Sequence, residues 1–342
     1  MKKLWLLSFF TLVFSGCTFS SSPVKQEWVL RSVDGGMNWE VKSKTDARNN
    51  IAGVNVLSMV VNSRDSKIIY LGTEKNGIFF TQDGGENWER IDFPPQKVYG
   101  LAIDGNNPDI IYASGVWDKK GKIYRSDNRG FDWKEIYTEP APGTIILSLA
   151  TGRHISNLIY FATDQGVISK SEDGGKNWKN LKKANGPIGK IEMDYLDDRK
   201  IYFQIFDKGL LFSGDGGETF EDLTDKIVKQ AQSNKVFALS ADPNQAGTVY
   251  VGLQGGLLKS VNYGAEWETL NVLESSRNFP IRALAIDPFD SQKIIYSAAG
   301  AIYKSEDGGK SWSTFQLDFK KFVSQIIFDP NNHLIIYAGL RD

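Results

Sequence analysis

One short pattern, Ser/Thr-x-Asp-x-Gly-x-x-Trp, recurs seven times along the 342 residues, and this recurrence constrains the fold more than any other feature. The copies are "SVDGGMNW" (32–39), "TQDGGENW" (81–88), "SDNRGFDW" (126–133), "SEDGGKNW" (171–178), "SGDGGETF" (213–220), "SVNYGAEW" (260–267) and "SEDGGKSW" (305–312). Successive copies start 49, 45, 45, 42, 47 and 45 residues apart. The third and sixth copies put Asn128 and Asn262 at the carboxylate position, and the fifth ends in Phe220.

Two further patterns repeat in step. Short runs such as "IIYLG", "LIYFA" and "TVYVG" carry Tyr70, Tyr112, Tyr160, Tyr202, Tyr250, Tyr296 and Tyr337. Each is preceded by a strand-like stretch of about seven residues: "VLSMVVN" (56), "VYGLAID" (98), "ILSLATG" (146), "IGKIEMD" (188), "VFALSAD" (236), "IRALAID" (281) and "VSQIIFD" (323). The unit is therefore strand A, turn, strand B with the Tyr, loop, strand C, octapeptide turn, strand D. Four short strands per ~45 residues is the repeat of a propeller blade.

The offset between patterns sets the closure. The first octapeptide has no A or B strand before it, and Tyr337 has no octapeptide after it. Strands near 28–32 and 39–42 should complete the sheet begun by 323–328 and 334–339, which leaves no open first or last blade. The expected fold is all-β: a seven-bladed β-propeller of four-stranded blades spanning 28–342, its ring closed by N-terminal strands that complete the C-terminal blade.

The octapeptide reads as a turn that each blade needs. At Asp34, Asp83, Asp173, Asp215 and Asp307 the carboxylate can accept from amides of its own turn. Asn128 and Asn262 keep an acceptor oxygen and read as interchangeable with Asp. Gly at the fifth position supplies a positive φ, and the Trp can pack under the hairpin. A calcium loop is the competing reading, but one well-placed carboxylate per copy falls short of 6–8 oxygens. "DGGKS" (307–311) is no phosphate loop, because Lys304 stands where the first Gly should be. The pattern resembles the Asp-box (sialidase-type) repeat, which implies a place on the outer rim, away from any active site.

The N-terminus reads as a targeting segment. Lys2 and Lys3 precede an apolar run from Leu4 to Phe14, and "FSGC" (14–17) resembles a bacterial lipobox. The expectation is a signal peptide over 1–16, a lipidated Cys17 as mature N-terminus, and a polar tether over 17–27. Cys17 is the chain's sole cysteine, so lipidation leaves no thiol for disulfides or catalysis. Thr18 rather than Asp follows it, which by the sorting rule of some Gram-negative bacteria points to the outer membrane. The protein is thus expected to be exported and held on the periplasmic or cell-surface side.

With 40 basic and 41 acidic side chains there is no field to attract nucleic acid. His154 and His333 are the only histidines, which argues against a histidine metal cluster, and no HExxH or GxSxG occurs. The sialidase arginine motif is absent, with "NNIAGVNVL" (49–57) in its place.

The body also resembles the photosystem II stability/assembly-factor family in repeat architecture, lipobox and length. That resemblance implies a single seven-bladed binding scaffold. The family's basic patch is rich in Arg, whereas the eleven arginines here are scattered; a generic lipoprotein of that family is the reading. The expected function is a non-enzymatic, membrane-tethered, monomeric scaffold that binds a protein partner through its loop face, with no cofactor. The alternative is a carbohydrate binder or glycosidase using channel carboxylates and aromatics. Candidate binding residues are Trp117 and Lys119 in the long B–C loop "SGVWDKKGK" (114–122), with Trp117 either at the tip or folded onto its own blade. Lys190 and Glu192, two apart and on one face of a channel strand, and Arg282 complete the set. Those channel residues fit either a water-filled lumen or a ligand site.

Overall fold

The strand B segments are buried on both faces, as continuous apolar runs such as "IYLGT" and "VYVGL" require. The strand D segments are short, polar and exposed, as in Lys179–Lys183, and so blunt the outer edges. That gradient, repeated, orders each sheet from a channel-lining strand A to a rim strand D. In this computed structural model, which describes residues 27–45, 53–273, 278–318 and 320–342, seven four-stranded antiparallel sheets result. We number the blades I to VII from the strand at Val56–Val61. Blade VII joins strand A (Phe322–Asp329) and strand B (Asn332–Arg341) to Val29–Ser32 and Glu40–Val41 from the other end of the chain. Val29 pairs with Gly339 and Ser32 with Ile336. The expected closure is therefore present, with Trp28 fully buried beneath it against Phe79 and Trp88. The signal peptide, Cys17 and most of the tether lie outside the described residues.

The octapeptide turns obey one geometry. In the fourth copy Ser171 Oγ donates to Asp173 Oδ1 (2.8 Å) and accepts from the Gly175 amide (2.8 Å). Asp173 Oδ1 accepts from the amides of Lys176 and Asn177, and Oδ2 from the Asn177 side chain (2.7 Å). The Asn177 amide and side chain hold the Asp173 carboxyl down at about 2. Gly174 and Gly175 both have positive φ (75° and 90°). In the third copy the polarity is reversed: Asn128 Nδ2 donates to Asp132 Oδ2 (2.7 Å). The sixth copy repeats this with Asn262 and Glu266. An amide at the third position thus goes with an acid at the seventh, so the two residue types are not interchangeable one at a time.

The turn also reaches the neighbouring blade. Tyr70, Tyr160 and Tyr337 donate their hydroxyls to the carbonyls of Arg129, Gly216 and Gly84, each the fourth octapeptide residue of the next blade. For Tyr112 the link is indirect, through Arg125, which donates to both the Tyr112 hydroxyl and the Gly174 carbonyl. Two patterns that repeat separately in sequence are therefore one inter-blade contact.

Candidate functional site

Strand A carries a bulge near its start in six blades, at Val56/Ser58, Val98/Gly100, Ile146/Ser148, Ile188/Lys190, Val236/Ala238 and Val323/Gln325. Two residues there oppose one on strand B, and the second of them turns aside from the ladder. At that position stand Leu57, Tyr99, Leu147, Gly189, Phe237 and Ser324, with Arg282 at the equivalent place in blade VI, and all of them except Gly189 and Ser324 are apolar, aromatic or cationic. The next blade's backbone comes close at this level. A Cβ on Gly252 would sit 2.6 Å from Ile281, and Ser114, Gln204 and Ser297 each donate to a carbonyl of the following strand A. Small or hydrogen-bonding residues in strand B thereby fix where the bulged residue points.

The seven A strands enclose a channel of about 920 Å³. Lys190, Glu192 and Arg282 all line it. Lys190 Nζ pairs with Glu192 Oε2 (3.0 Å) and donates to the Leu239 carbonyl (2.7 Å). Among the described residues the only other acidic side chain on the channel wall is Asp104, which is buried and accepts from the Asn106 and Asn107 amides. Among the described residues four cationic ones, Arg153, Lys190, Arg282 and Arg341, line the same wall. Arg282 is exposed, and its guanidinium lies over Phe322 (4.9 Å) and Phe237 (5.9 Å).

Trp117 and Lys119 stand apart from the channel wall. The stretch 114–122 is not an open loop but the tip of a long hairpin, in which Ile111–Trp117 pairs with Lys120–Ser126. Asp118 and Lys119 both take positive φ (50° and 62°), the two-residue turn that matches strand twist. Trp117 is 48% exposed at this tip. Both histidines lie at the opposite face, His154 in an A–B turn and His333 at the start of blade VII's strand B, with His154 Nε2 at 3.0 Å from the Tyr195 carbonyl oxygen. The connection 222–235 holds a helix, Thr224–Ala231.

Sequence reasoning compared mainly the third and fifth strand-A positions and singled out Arg282 alone at the second. The aromatics gathered there and just beyond are Tyr99, Phe206, Phe237, Phe279 and Phe322. Aligning the seven strands and reading the whole second column would have added Tyr99 and Phe237 to Arg282; Phe206 and Phe279 lie in loops with no repeat to align.

A family model described as "Photosynthesis system II assembly factor YCF48" matches residues 190–326, and one described as "Sortilin, neurotensin receptor 3" matches 27–140. The chain is 25% identical over 153 residues to the photosystem II stability/assembly factor HCF136 of Arabidopsis thaliana, covering 44% of this chain and 35% of that protein. The matched region thus spans about a third of the length of that curated relative. Among solved structures, the Niastella koreensis GH74 enzyme superposes with a TM-score of 0.70 at 19% identity, covering 84% of this chain and 51% of that one. YCF48 from Cyanidioschyzon merolae gives 0.65 at 18% identity, covering 84% and 95%. A YCF48 structure bound to a D1 peptide gives 0.63 at 17% identity, covering 84% and 94%. The chain is a seven-bladed propeller similar, over part of its length, to the photosystem II stability/assembly factors.

Proposed function

We propose that this protein is a non-enzymatic scaffold that binds a protein partner on the face carrying the channel mouth and the B–C and D–A loops. The observation that carries this reading is the state of the channel carboxylates. Glycoside cleavage ordinarily uses two carboxyl groups across the scissile bond. Here Glu192 is held by Lys190, and Asp104 is occupied by turn amides. The same face exposes large apolar side chains, Trp117, Phe206 and Phe279, at 46–48%. Similarity to HCF136, an assembly factor by name, supports the same direction, as does a fold shared with a YCF48 that holds a D1 peptide.

Affinity capture from solubilised membranes with the full-length protein, followed by mass spectrometry, tests this. The expected result is one stable partner that is lost with Trp117→Ala or Phe206→Ala at unchanged melting temperature. A glycan-array signal abolished by Glu192→Gln would replace the scaffold reading with the carbohydrate one.

The scaffold reading includes a tether. Lipidation at Cys17 after an exported leader would hold the propeller at a membrane surface, the outer membrane in a Gram-negative cell, by way of the polar stretch up to residue 27. Cys17→Ser is expected to release the protein into the soluble fraction with its melting temperature intact. Unchanged membrane partitioning would remove lipidation as the anchor.

A further inference from the structure

Four successive blades place Phe206, Phe237, Arg282 and Phe322 side by side on the channel mouth. Phe206 meets Phe237 edge to face at 6.1 Å, the Arg282 guanidinium lies 5.9 Å from the Phe237 ring, and it lies 4.9 Å from the Phe322 ring. The result is one continuous arc of ring, ring, guanidinium and ring. Among the described residues Arg282 has these two rings as its side-chain partners and neither a carboxylate nor a carbonyl. Lys190, by contrast, is paired with Glu192 within the same strand, Arg153 lies over the Tyr195 ring, and both channel acids are occupied. An exposed guanidinium oriented by two rings, with five donors unspent, suits a planar carboxylate from outside the chain.

The surroundings say what carries that carboxylate. Beside Arg282 is a recess of about 260 Å³, floored by the small-residue turn at 297–301 and walled by Phe279 and Phe322. On the other side lie Phe237 and Phe206. The charge therefore sits in the middle of an apolar arc, not at its end. Successive groups are 4.9–6.1 Å apart. Residues on one side of an extended chain are spaced roughly 6.5–7 Å, twice the strand rise.

We propose that this arc is the docking subsite for an extended segment of the protein partner, with an Asp or Glu side chain on Arg282. Apolar side chains two residues before and two residues after the acid lie on Phe237 and in the recess beside Phe322. The carboxylate is a side chain within the segment, because a chain end would leave half of the arc uncovered. This rests on the scaffold reading above and names the chemistry of its partner.

The test is selection of displayed peptides on the full-length protein. One library holds random heptapeptides between flexible linkers, so every acid is a side chain; a second ends in a free C-terminus. The linker-flanked library should enrich Asp or Glu with apolar residues at two-residue spacing on both sides. On Arg282→Gln the acidic preference should vanish while the apolar one persists, and Arg282→Lys should keep part of it. A capped peptide chosen from the selection should lose at least about tenfold in affinity with Arg282→Gln. Unchanged acid enrichment on Arg282→Gln, enrichment from the free-C-terminus library alone, or no enrichment at all would each overturn the subsite. If the captured partner binds Arg282→Gln undiminished, the subsite fails and the scaffold reading stands. If no partner is captured, the scaffold reading fails on its own experiment. Arg282 is exposed, so both variants are expected to melt with the wild type.

Discussion

At the scale of single residues, the octapeptide acid works through hydrogen bonds it accepts as a carboxylate. Asp34, Asp173, Asp215 and Asp307 are each held at about 2, chiefly by the residue four places on: the amides of Asn38 and Asn177, and the hydroxyls of Thr219 and Ser311. A folded-state value below the unfolded one means that the stabilisation is complete above about pH 4 and is lost as pH falls toward 2. Thermal melts should therefore show Asp173→Ala well below wild type at pH 7, with the gap closing by pH 2. A constant gap would mean that the carboxylate's charge is irrelevant. The third copy offers a sharper test. Asn128→Asp sets a second carboxylate against Asp132, and should cost about 1–2 kcal/mol through repulsion and a lost hydrogen bond. Asn128→Asp combined with Asp132→Asn should return to within about 0.5 kcal/mol of wild type by chemical denaturation. The role of the acid was legible in the sequence; the exchange between positions three and seven was not, because a repeat consensus treats each column separately.

At the scale of strands and turns, the strand-B tyrosines tie one sheet to the next. Tyr160 donates to the Gly216 carbonyl at 2.9 Å, whereas the buried Tyr202 hydroxyl has no hydrogen-bond partner among the described residues. Tyr160→Phe should cost about 1 kcal/mol, and Tyr202→Phe should be neutral or stabilising, both read from urea denaturation. Equal losses would show that ring packing, not the hydroxyl, links the blades. The strands themselves were readable because period-two and continuous apolar runs are strong signals. The bulges were not: one extra residue shifts the facing of its neighbours without any change in composition. That is why Lys190 and Glu192 were picked from the channel strands while Phe237, one residue into its own strand, was missed. The "SGVWDKKGK" stretch misled in the other direction. Asp and Lys at a hairpin tip look like loop residues, yet in left-handed conformations they extend a strand pair by three residues on each side beyond Ser114 and Ile123.

At the scale of the whole molecule, closure is the feature that the sequence predicts outright and the structure bears out, since it depends on which half-units lack partners and not on any side chain. Removing residues 1–45 takes away two of blade VII's four strands and exposes the edge Ile336–Gly339. The truncated chain should self-associate by light scattering and lose its single unfolding transition. A monodisperse, two-state monomer would contradict the role given to those strands. The channel's cationic excess, by contrast, came into view only once strands far apart in sequence were brought around one axis. The same closure has a temporal side. Val29 must wait for Gly339, roughly 300 residues later, and at about 5–20 residues per second that is some tens of seconds of synthesis. Throughout that interval the first hairpin has no sheet to join. The ring is thus finished only once residues 336–339 have been made, and a chain that stops short of them cannot close it.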